Sequence, residues 1–173
     1  GDQIYALAFD QGVENAKHLA CLGDGATWIW NGFSQHYPDA VQILDYYHAT
    51  EHLGDIAKAW YGEGSDLAKC WLEARELDLL SDCVEDVIKS IRSWHPVDDK
   101  EKELRRVELG YLEKNKHRML YATFKANGYH IGSGLVESAC KIIVTQRLKQ
   151  SGMRWSETGA ESIVHLRSFL LSA

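Results

Sequence analysis

The chain lacks several features that define broad classes of protein. No apolar run approaches the roughly 18 to 20 residues of a membrane-spanning helix, and no signal-peptide pattern opens the sequence. Internal repeats and low-complexity tracts are also missing. The four cysteines, Cys21, Cys70, Cys83 and Cys140, form no short-range pair, and Cys21 and Cys140 lie in apolar runs. This pattern favours buried free thiols in a reducing compartment over disulfides or a zinc knuckle. We therefore expect a cytoplasmic protein without a membrane partner.

The composition is that of a folded protein with an uneven charge. With 173 residues, 45% hydrophobic and 25% charged, the chain has the size of about one domain and enough apolar material for a core. The net charge of −6 argues against a nucleic-acid partner. However, residues 134–173 carry five Lys or Arg against three Glu, so their local charge is +2 and that of the remainder is −8. This asymmetry is compatible with a partner that contacts only the basic end.

The first fifty residues have the pattern of a helix followed by strand, helix and strand. A helix is predicted over Gln3–Gln11. The apolar run His18–Leu22 predicts a buried strand that leads to Asp24, and Ala40–Asp45 predicts a second strand that again ends in an acid. A short helix, Trp28–His36, lies between them. Because few residues connect these elements, we expect a parallel β-α-β unit.

After these residues the pattern is helical almost throughout, with a glycine-rich break over Gly128–Gly134. The fold class predicted from the sequence is therefore mostly α with a small parallel β element. The predicted helices are His48–Tyr61, Asp66–Leu79, Ser81–Trp94, Asp98–Lys116, Arg118–Ala126, Leu135–Gln150 and Glu157–Leu171.

Two carboxylates stand in unusual settings. Asp24 lies between two glycines at the end of the first predicted strand, and Glu137 lies one turn into a helix opened by a Gly/Ser segment. Carboxylates presented in this way could hold a divalent metal for phosphoryl transfer. The alternatives are structural: Asp24 could cap the helix that follows it, and Glu137 could pair with Lys141 four residues later.

Four blocks of sequence, taken in order, resemble the catalytic domain of bacterial insertion-sequence transposases of the DDE type, which have an RNase H-like fold. The order of the blocks is more specific than any one of them. They are Leu22–Trp30, with Leu-Gly-Asp-Gly-Ala-Thr-Trp-Ile-Trp; Tyr37–His52; Gly132–Lys141, with Gly-Ser-Gly-Leu-Val-Glu-Ser-Ala-Cys-Lys; and Arg147–Ser156.

The resemblance implies roles for particular residues. Asp24 and Glu137 match two of the three catalytic, metal-binding acids of that family, which use Mg²⁺ or Mn²⁺ to cut and join DNA, and we expect them to approach each other at the carboxyl ends of the strands. Asp45 and His48 match a supporting Asp-x-x-His pattern. The resemblance also implies a partial RNase H-like core over residues 1–53 and 129–173, interrupted by an all-helical insertion over residues 54–128.

The first acid of the family's triad has no counterpart here. Typical element and loop lengths put that acid roughly 40 or more residues before the second one. Only 23 residues precede Asp24, and Asp10, on the first predicted helix, is too close in sequence. We therefore expect a C-terminal segment of a transposase that binds Mg²⁺ weakly or not at all by itself and does not nick DNA. The strand edge left open would be covered by pairing between copies, as a homo-oligomer, or by the helix Gln3–Gln11.

The basic end of the chain is the predicted DNA contact. Its candidate residues are Lys141, Arg147, Lys149, Arg154 and Trp155, which could bind phosphates and stack on a splayed base. The alternative is a loop between two helices with Trp155 packed in the core.

Two other functions remain open. The sequence His48-Ala-Thr-Glu51-His52 matches a helical zinc motif of metalloproteases, in which the histidines bind zinc and Glu51 acts as general base. A structural interpretation has both histidines hydrogen-bonded against Asp45. The other alternative is a non-catalytic remnant of a transposase that binds DNA or a protein through its helical insertion.

Overall fold

The computed structural model describes residues 2–134, 138 and 140–172 of the chain. The described residues up to Gly132 form one compact unit, here the first unit, and those from Ser133 onward form the second unit. No helix in the described part of the chain has both the length and the apolar character needed to cross a membrane. The predicted domain boundaries at residues 53/54 and 128/129 stay a prediction.

The first unit contains a two-stranded parallel sheet. Strand β1 (Ala20–Gly23) pairs with β2 (Val41–Leu44), in a register that sets Gly23 opposite Leu44. Helix α2 (Thr27–His36) connects them. The prediction of a parallel β-α-β unit in a mostly helical protein is thus confirmed. Before it lies α1 (Asp2–Asp10), in which Tyr5 stacks on His36 of α2 at a ring distance of 4.9 Å.

Five helices complete the first unit. They are α3 (Tyr46–Tyr61), α4 (Asp66–Leu80), α5 (Val84–Ser93), α6 (Asp99–Asn115) and α7 (Tyr121–Ala126). Three of them, α3, α6 and α7, begin where a carboxylate accepts a backbone N–H, and for α6 the acceptor is Asp98. Asp45 accepts from the N–H of His48, so α3 begins two residues before the predicted start. Asp82 accepts from the N–H groups of Ala122 and Thr123, so α7 begins after the predicted Arg118.

One hydrophobic core joins the sheet to these helices. Ile43 and Leu44 of β2 are fully buried, as are Leu53 of α3, Ile91 of α5 and Leu112 of α6. All of them belong to a single cluster of buried side chains. Residues before and after position 53 therefore share a core, and the helices hold the carboxyl ends of the strands on a rigid support.

An aromatic group lies at one end of this core. The rings of Trp60 and Trp94 are 5.9 Å apart and nearly parallel, with an interplanar angle of 18°. Trp71 meets Trp60 edge-on at 5.8 Å, and its indole N–H donates to Ser90 at 2.9 Å. The group therefore contributes apolar burial and satisfies the polar atom of Trp71.

The second unit is helical in its described part. A π-helical turn, Lys141–Thr145, continues into α8 (Gln146–Leu148), and α9 spans Glu157–Ser172. A π-helical turn leaves carbonyl groups without their usual partners. The guanidinium of Arg167 donates to the carbonyls of Ile142 and Ile143 at 2.8 and 3.1 Å, which ties α9 to this turn.

The observed burial of the cysteines contradicts one prediction. All four are free thiols, and Cys21 on β1 is buried as expected. Cys140 is exposed, so the prediction of a buried thiol there is wrong. The apolar run around Cys140 lies in the second unit, where none of the described residues is buried.

Candidate functional site

Two acids lie at the same edge of the sheet because the strands that carry them are parallel. Asp24 follows β1 directly and Asp45 follows β2, and the N–H of Asp45 donates to the carbonyl of Gly23 at 2.8 Å. Their environments differ. Asp24 is exposed, whereas Asp45 is only 5% exposed and accepts from the N–H of His48 at 3.0 Å. Asp45 therefore fixes the start of α3, and Asp24 presents its carboxylate at the surface.

Asp24 does not cap α2. The residue before that helix is Ala26, which offers no side-chain cap. One carboxylate oxygen of Asp24 instead accepts from the N–H of Ala26 at 2.9 Å, so the bond closes a turn within the loop. The structural alternative of a helix cap at Asp24 is therefore wrong in its geometry.

The Asp24–Thr27 loop is shaped by a contact from α6. Gly25 has φ of +98°, a conformation that residues with a side chain rarely adopt, and a Cβ there would lie 2.6 Å from the ring of Tyr111. The hydroxyl of Tyr111 donates to the carbonyl of Asp24 at 3.0 Å. Glycine at position 25 is thus required twice, by the backbone and by the aromatic ring.

Tyr111 is packed against a histidine–carboxylate pair. Its ring stacks on His52 of α3 at 4.0 Å, and Nδ1 of His52 lies 2.7 Å from a carboxylate oxygen of Glu108. The hydrogen bond to Glu108, opposed in part by burial, raises the pKa of His52 above its usual value. Burial raises the pKa of Tyr111 strongly, with a further contribution from the negative charge of Asp24, so its hydroxyl stays protonated and able to donate.

His48 and His52 face different carboxylates. The rings meet edge-on at 5.0 Å, but Nδ1 of His48 lies 3.3 Å from Glu51, whereas Nδ1 of His52 lies against Glu108. The structural interpretation expected both histidines to bond to Asp45. Asp45 accepts a hydrogen bond from the backbone N–H of His48, and the ring of His52 has Glu108 as its partner.

A shallow cavity of about 370 Å³ opens beside the exposed carboxylate. The Asp24–Thr27 loop lines one side, and His48, Tyr111, Lys114 and Asn115 line the rest. The ammonium of Lys114 donates to the hydroxyl of Thr27 at 2.7 Å. The cavity thus combines a carboxylate, an imidazole and a cation, groups that could meet a phosphate and its counter-ion.

The other predicted metal ligand, Glu137, lies outside the described residues. Its approach to Asp24 therefore stays a prediction. Within the described part of the chain, no group of three or more His, Cys, Asp or Glu side chains is arranged to hold a metal ion. Of the two predicted metal ligands, Asp24 is therefore the one whose position the structure describes.

The predicted DNA-contacting residues are exposed. This holds for Lys141, Arg147, Lys149 and Arg154. Trp155 is 37% exposed, which places it at the surface and not in a core, and the guanidinium of Arg147 lies 5.9 Å from the centre of its ring. The second unit therefore presents cations and the accessible ring of Trp155.

Glu108, Tyr111 and Lys114 were not predicted as site residues. All three lie on α6, which appears in the sequence as a charged helix far from the acidic strand ends. One signal could have identified Glu108. It lies four residues after Leu104 and four before Leu112, on the apolar stripe of α6, where a charge is costly unless it has a partner.

No family model matches the chain, and no curated protein or solved structure matches it either. The chemistry of the described side chains is therefore what bears on function.

Proposed function

We propose that the chain is part of a DDE-type transposase with an RNase H-like core, in which Asp24 and Glu137 supply two of the three metal-binding carboxylates. The observation that supports this most is the pair of parallel strands that both end in an acid at one edge of the sheet. The carboxylate of Asp24 is exposed there beside a cavity.

The carboxylate of Asp24 fits the ligand preference of Mg²⁺ and Mn²⁺, which favour carboxylate oxygens. A bound metal pair would supply positive charge at the reacting phosphate and at the attacking and leaving oxygens. The residues of the chain hold this arrangement in place. Asp45 anchors the strand edge to α3, and Lys114, which lines the cavity and bonds the hydroxyl of Thr27, offers a cation toward a phosphate.

The substrate in this proposal is DNA, held by the second unit. The exposed cations Lys141, Arg147, Lys149 and Arg154 would contact phosphates, and the accessible ring of Trp155 would stack on a base near the cleavage point. The helical segment over residues 54–128 would be the insertion. It contributes a wall of the site through α6, which is consistent with an insertion that takes part in the reaction.

Paramagnetic Mn²⁺ tests the metal assignment. With Mn²⁺ titrated in large excess into the ¹⁵N-labelled protein, so that even weak binding by two carboxylates is populated, we expect amide resonances of the Asp24–Thr27 loop and of residues 135–139 to broaden together. Asp24→Asn should abolish both effects, because it removes the charge and keeps the bond to the N–H of Ala26. Asp39→Asn, at another exposed acid of the first unit, is the matched control and should change neither. Broadening of the loop without residues 135–139 would refute the pairing of Asp24 with Glu137.

Binding and cleavage of DNA separate the proposal from its alternative. Two carboxylates hold a metal pair poorly, so we expect this chain not to nick or join oligonucleotides in Mg²⁺ or Mn²⁺. It should bind DNA weakly, with little sequence preference and with an affinity that falls as salt rises. Salt-sensitive binding without any Mn²⁺ effect at Asp24 would favour a non-catalytic DNA-binding protein. Mg²⁺-dependent cleavage abolished by Asp24→Ala would show that two carboxylates suffice.

A further inference from the structure

The Asp24–Thr27 loop is held from outside by Tyr111. Within the loop, the carboxylate of Asp24 bonds the N–H of Ala26 two residues away, a short-range contact at an exposed position. Tyr111 comes from α6, 87 residues further along the chain, and its hydroxyl donates to the carbonyl of Asp24. The ring also lies so close to Gly25 that a side chain at this position would clash with it. Tyr111 therefore holds the backbone of the loop in place, and the carboxylate of Asp24 stays at the surface.

Tyr111 is itself fixed by two residues. Glu108, three positions earlier on α6, is 6% exposed, and its carboxylate contacts Nδ1 of His52 at 2.7 Å. The His52 imidazole stacks on the Tyr111 ring at an interplanar angle of 25°. Glu108 and Tyr111 share a face of α6, so the imidazole of α3 contacts both. The three side chains link α3, α6 and the loop into one connected group.

Stability alone does not account for a group of this kind. A buried carboxylate is costly, and an apolar residue of similar volume at position 108 would pack on the stripe of α6 without that cost. A metal ligand, in contrast, gains from being held in one geometry before the ion arrives, because a mobile carboxylate loses conformational entropy on binding. A rigid polar group behind a surface carboxylate meets that need.

We propose that Tyr111 is a positioning residue for the Asp24 carboxylate, and that the His52–Glu108 pair holds Tyr111 in place. The role in metal binding rests on the proposed function. The fixing of the loop by Tyr111 does not depend on the proposed function, since it follows from contacts within the first unit.

The Tyr111→Phe variant tests the inference with little risk to folding. It removes the hydroxyl that bonds Asp24 and keeps the ring against His52 and Gly25. We expect the thermal midpoint to change little. Hydrogen exchange of the Ala26 amide, whose N–H donates to the Asp24 carboxylate, should accelerate roughly three- to tenfold, the range that one ordinary hydrogen bond supplies. The Mn²⁺ concentration that half-broadens the loop resonances should rise by a similar factor. A residue with a purely structural role would not shift that concentration at constant thermal midpoint.

Tyr61→Phe is the matched control, because Tyr61 lies against Trp60 at the other end of α3. It should leave exchange in the loop and the Mn²⁺ response unchanged. A second variant, His52→Leu, removes the support of Tyr111 and should accelerate exchange of the Ala26 amide while the Tyr111 hydroxyl is still present.

Each outcome bears on a separate claim. Loop exchange in Tyr111→Phe equal to that of the unsubstituted chain overturns the inference. Faster exchange with an unchanged Mn²⁺ response overturns the positioning of a metal ligand. If the unsubstituted chain shows no Mn²⁺ effect at Asp24, the proposed function fails, and the exchange rates then decide whether Tyr111 fixes the loop.

Discussion

The two units of the chain differ in how their side chains are buried. In the described part of the chain, the buried side chains lie between Cys21 and Phe124, all in the first unit. The second unit instead exposes large apolar residues, among them Leu166, Phe169 and Leu170. Burial of apolar surface is the main source of folding free energy, so the first unit has its own core and the second depends more on local helix contacts. The candidate metal ligand Asp24 thus lies on the rigid unit, and the candidate DNA contacts lie on the less buried one.

Truncation of one leucine in each unit should give the largest contrast. Leu53 is fully buried, so Leu53→Ala should lower the free energy of unfolding by about 2–5 kcal/mol through lost burial and a cavity. Leu166 is 54% exposed, and Leu166→Ala should cost less than about 0.5 kcal/mol. Urea denaturation followed by circular dichroism measures both. Equal costs would show that the second unit has a core of its own.

The glycines with positive φ provide a second contrast. Gly25 and Gly152 have φ of +98° and +80°, but only the Cβ position of Gly25 is occupied, by Tyr111. Gly25→Ala should therefore destabilise the protein by about 2–4 kcal/mol, from backbone strain plus overpacking. Gly152→Ala should cost about 1 kcal/mol, from strain alone. Thermal denaturation of the two variants gives the comparison, and a Gly25→Ala cost no greater than that of Gly152→Ala would contradict the close packing of Tyr111.

The buried carboxylate of Glu108 should make stability depend on pH. The pKa of His52 is raised in the folded state, chiefly by its hydrogen bond to Glu108, so protonated His52 stabilises the fold. This contribution is fully present below the unfolded pKa of about 6.5 and is lost as pH rises through the folded pKa. Glu108→Gln should thus cost roughly 1–2 kcal/mol near pH 6 and less near pH 8.5.

The control for that pH dependence is Glu113→Gln. Glu113 is half exposed and pairs with Arg92 at 2.6 Å, so its loss should cost less than about 0.5 kcal/mol and should not follow the His52 titration. Chemical denaturation across this pH range, together with an NMR titration of the His52 ring, measures both effects. A constant cost of Glu108→Gln with pH would show that the His52–Glu108 pair is not charge-linked.

The smallest contrast concerns arginines over tryptophan rings. Arg118 lies 4.5 Å from the ring of Trp30, which is buried, and its guanidinium also donates to Gln42 and Asn115. Arg118→Met should cost about 1 kcal/mol. Arg147 lies 5.9 Å from the exposed Trp155, and Arg147→Met should cost about 0.5 kcal/mol or less. Urea denaturation checks the order, and a larger cost for Arg147 would indicate that Trp155 is more tightly packed than its exposure suggests.

Local patterns predicted the parts of the fold that depend on local physics. Short apolar runs and short connections predicted the parallel strands, and that topology brought Asp24 and Asp45 to one edge of the sheet. Most of the helices were also predicted, with the starts of α3 and α7 displaced where Asp45 or Asp82 caps the helix from its side chain, and with a π-helical turn, Lys141–Thr145, inside the predicted helix Leu135–Gln150. The bond from His48 to Asp45 spans three residues, and the strand pairing follows from strand direction, whereas Asp82 caps α7 from 40 residues away, which no local pattern predicts.

The wall of the candidate site could not be predicted in the same way. The bond from Tyr111 to Asp24 and the pair formed by His52 and Glu108 join residues 87 and 56 positions apart. No periodicity encodes such a pairing, because it depends on how α3 and α6 pack. The wrong prediction of a buried Cys140 has a related cause. An apolar run indicates burial only when another element covers it.

The distribution of tryptophans determines what optical spectroscopy can detect in this protein. Five of the six tryptophans lie before residue 95, and Trp155 is the sixth. The near-parallel rings of Trp60 and Trp94 are close enough for their electronic transitions to couple, which gives a near-ultraviolet circular dichroism signal of the first unit alone. Total fluorescence emission is dominated by the same unit, whose Trp28 is 71% exposed and emits at longer wavelength, as does the 37% exposed Trp155, because water reaches both rings. A fluorescence melt would therefore report a single transition even if the second unit had already unfolded.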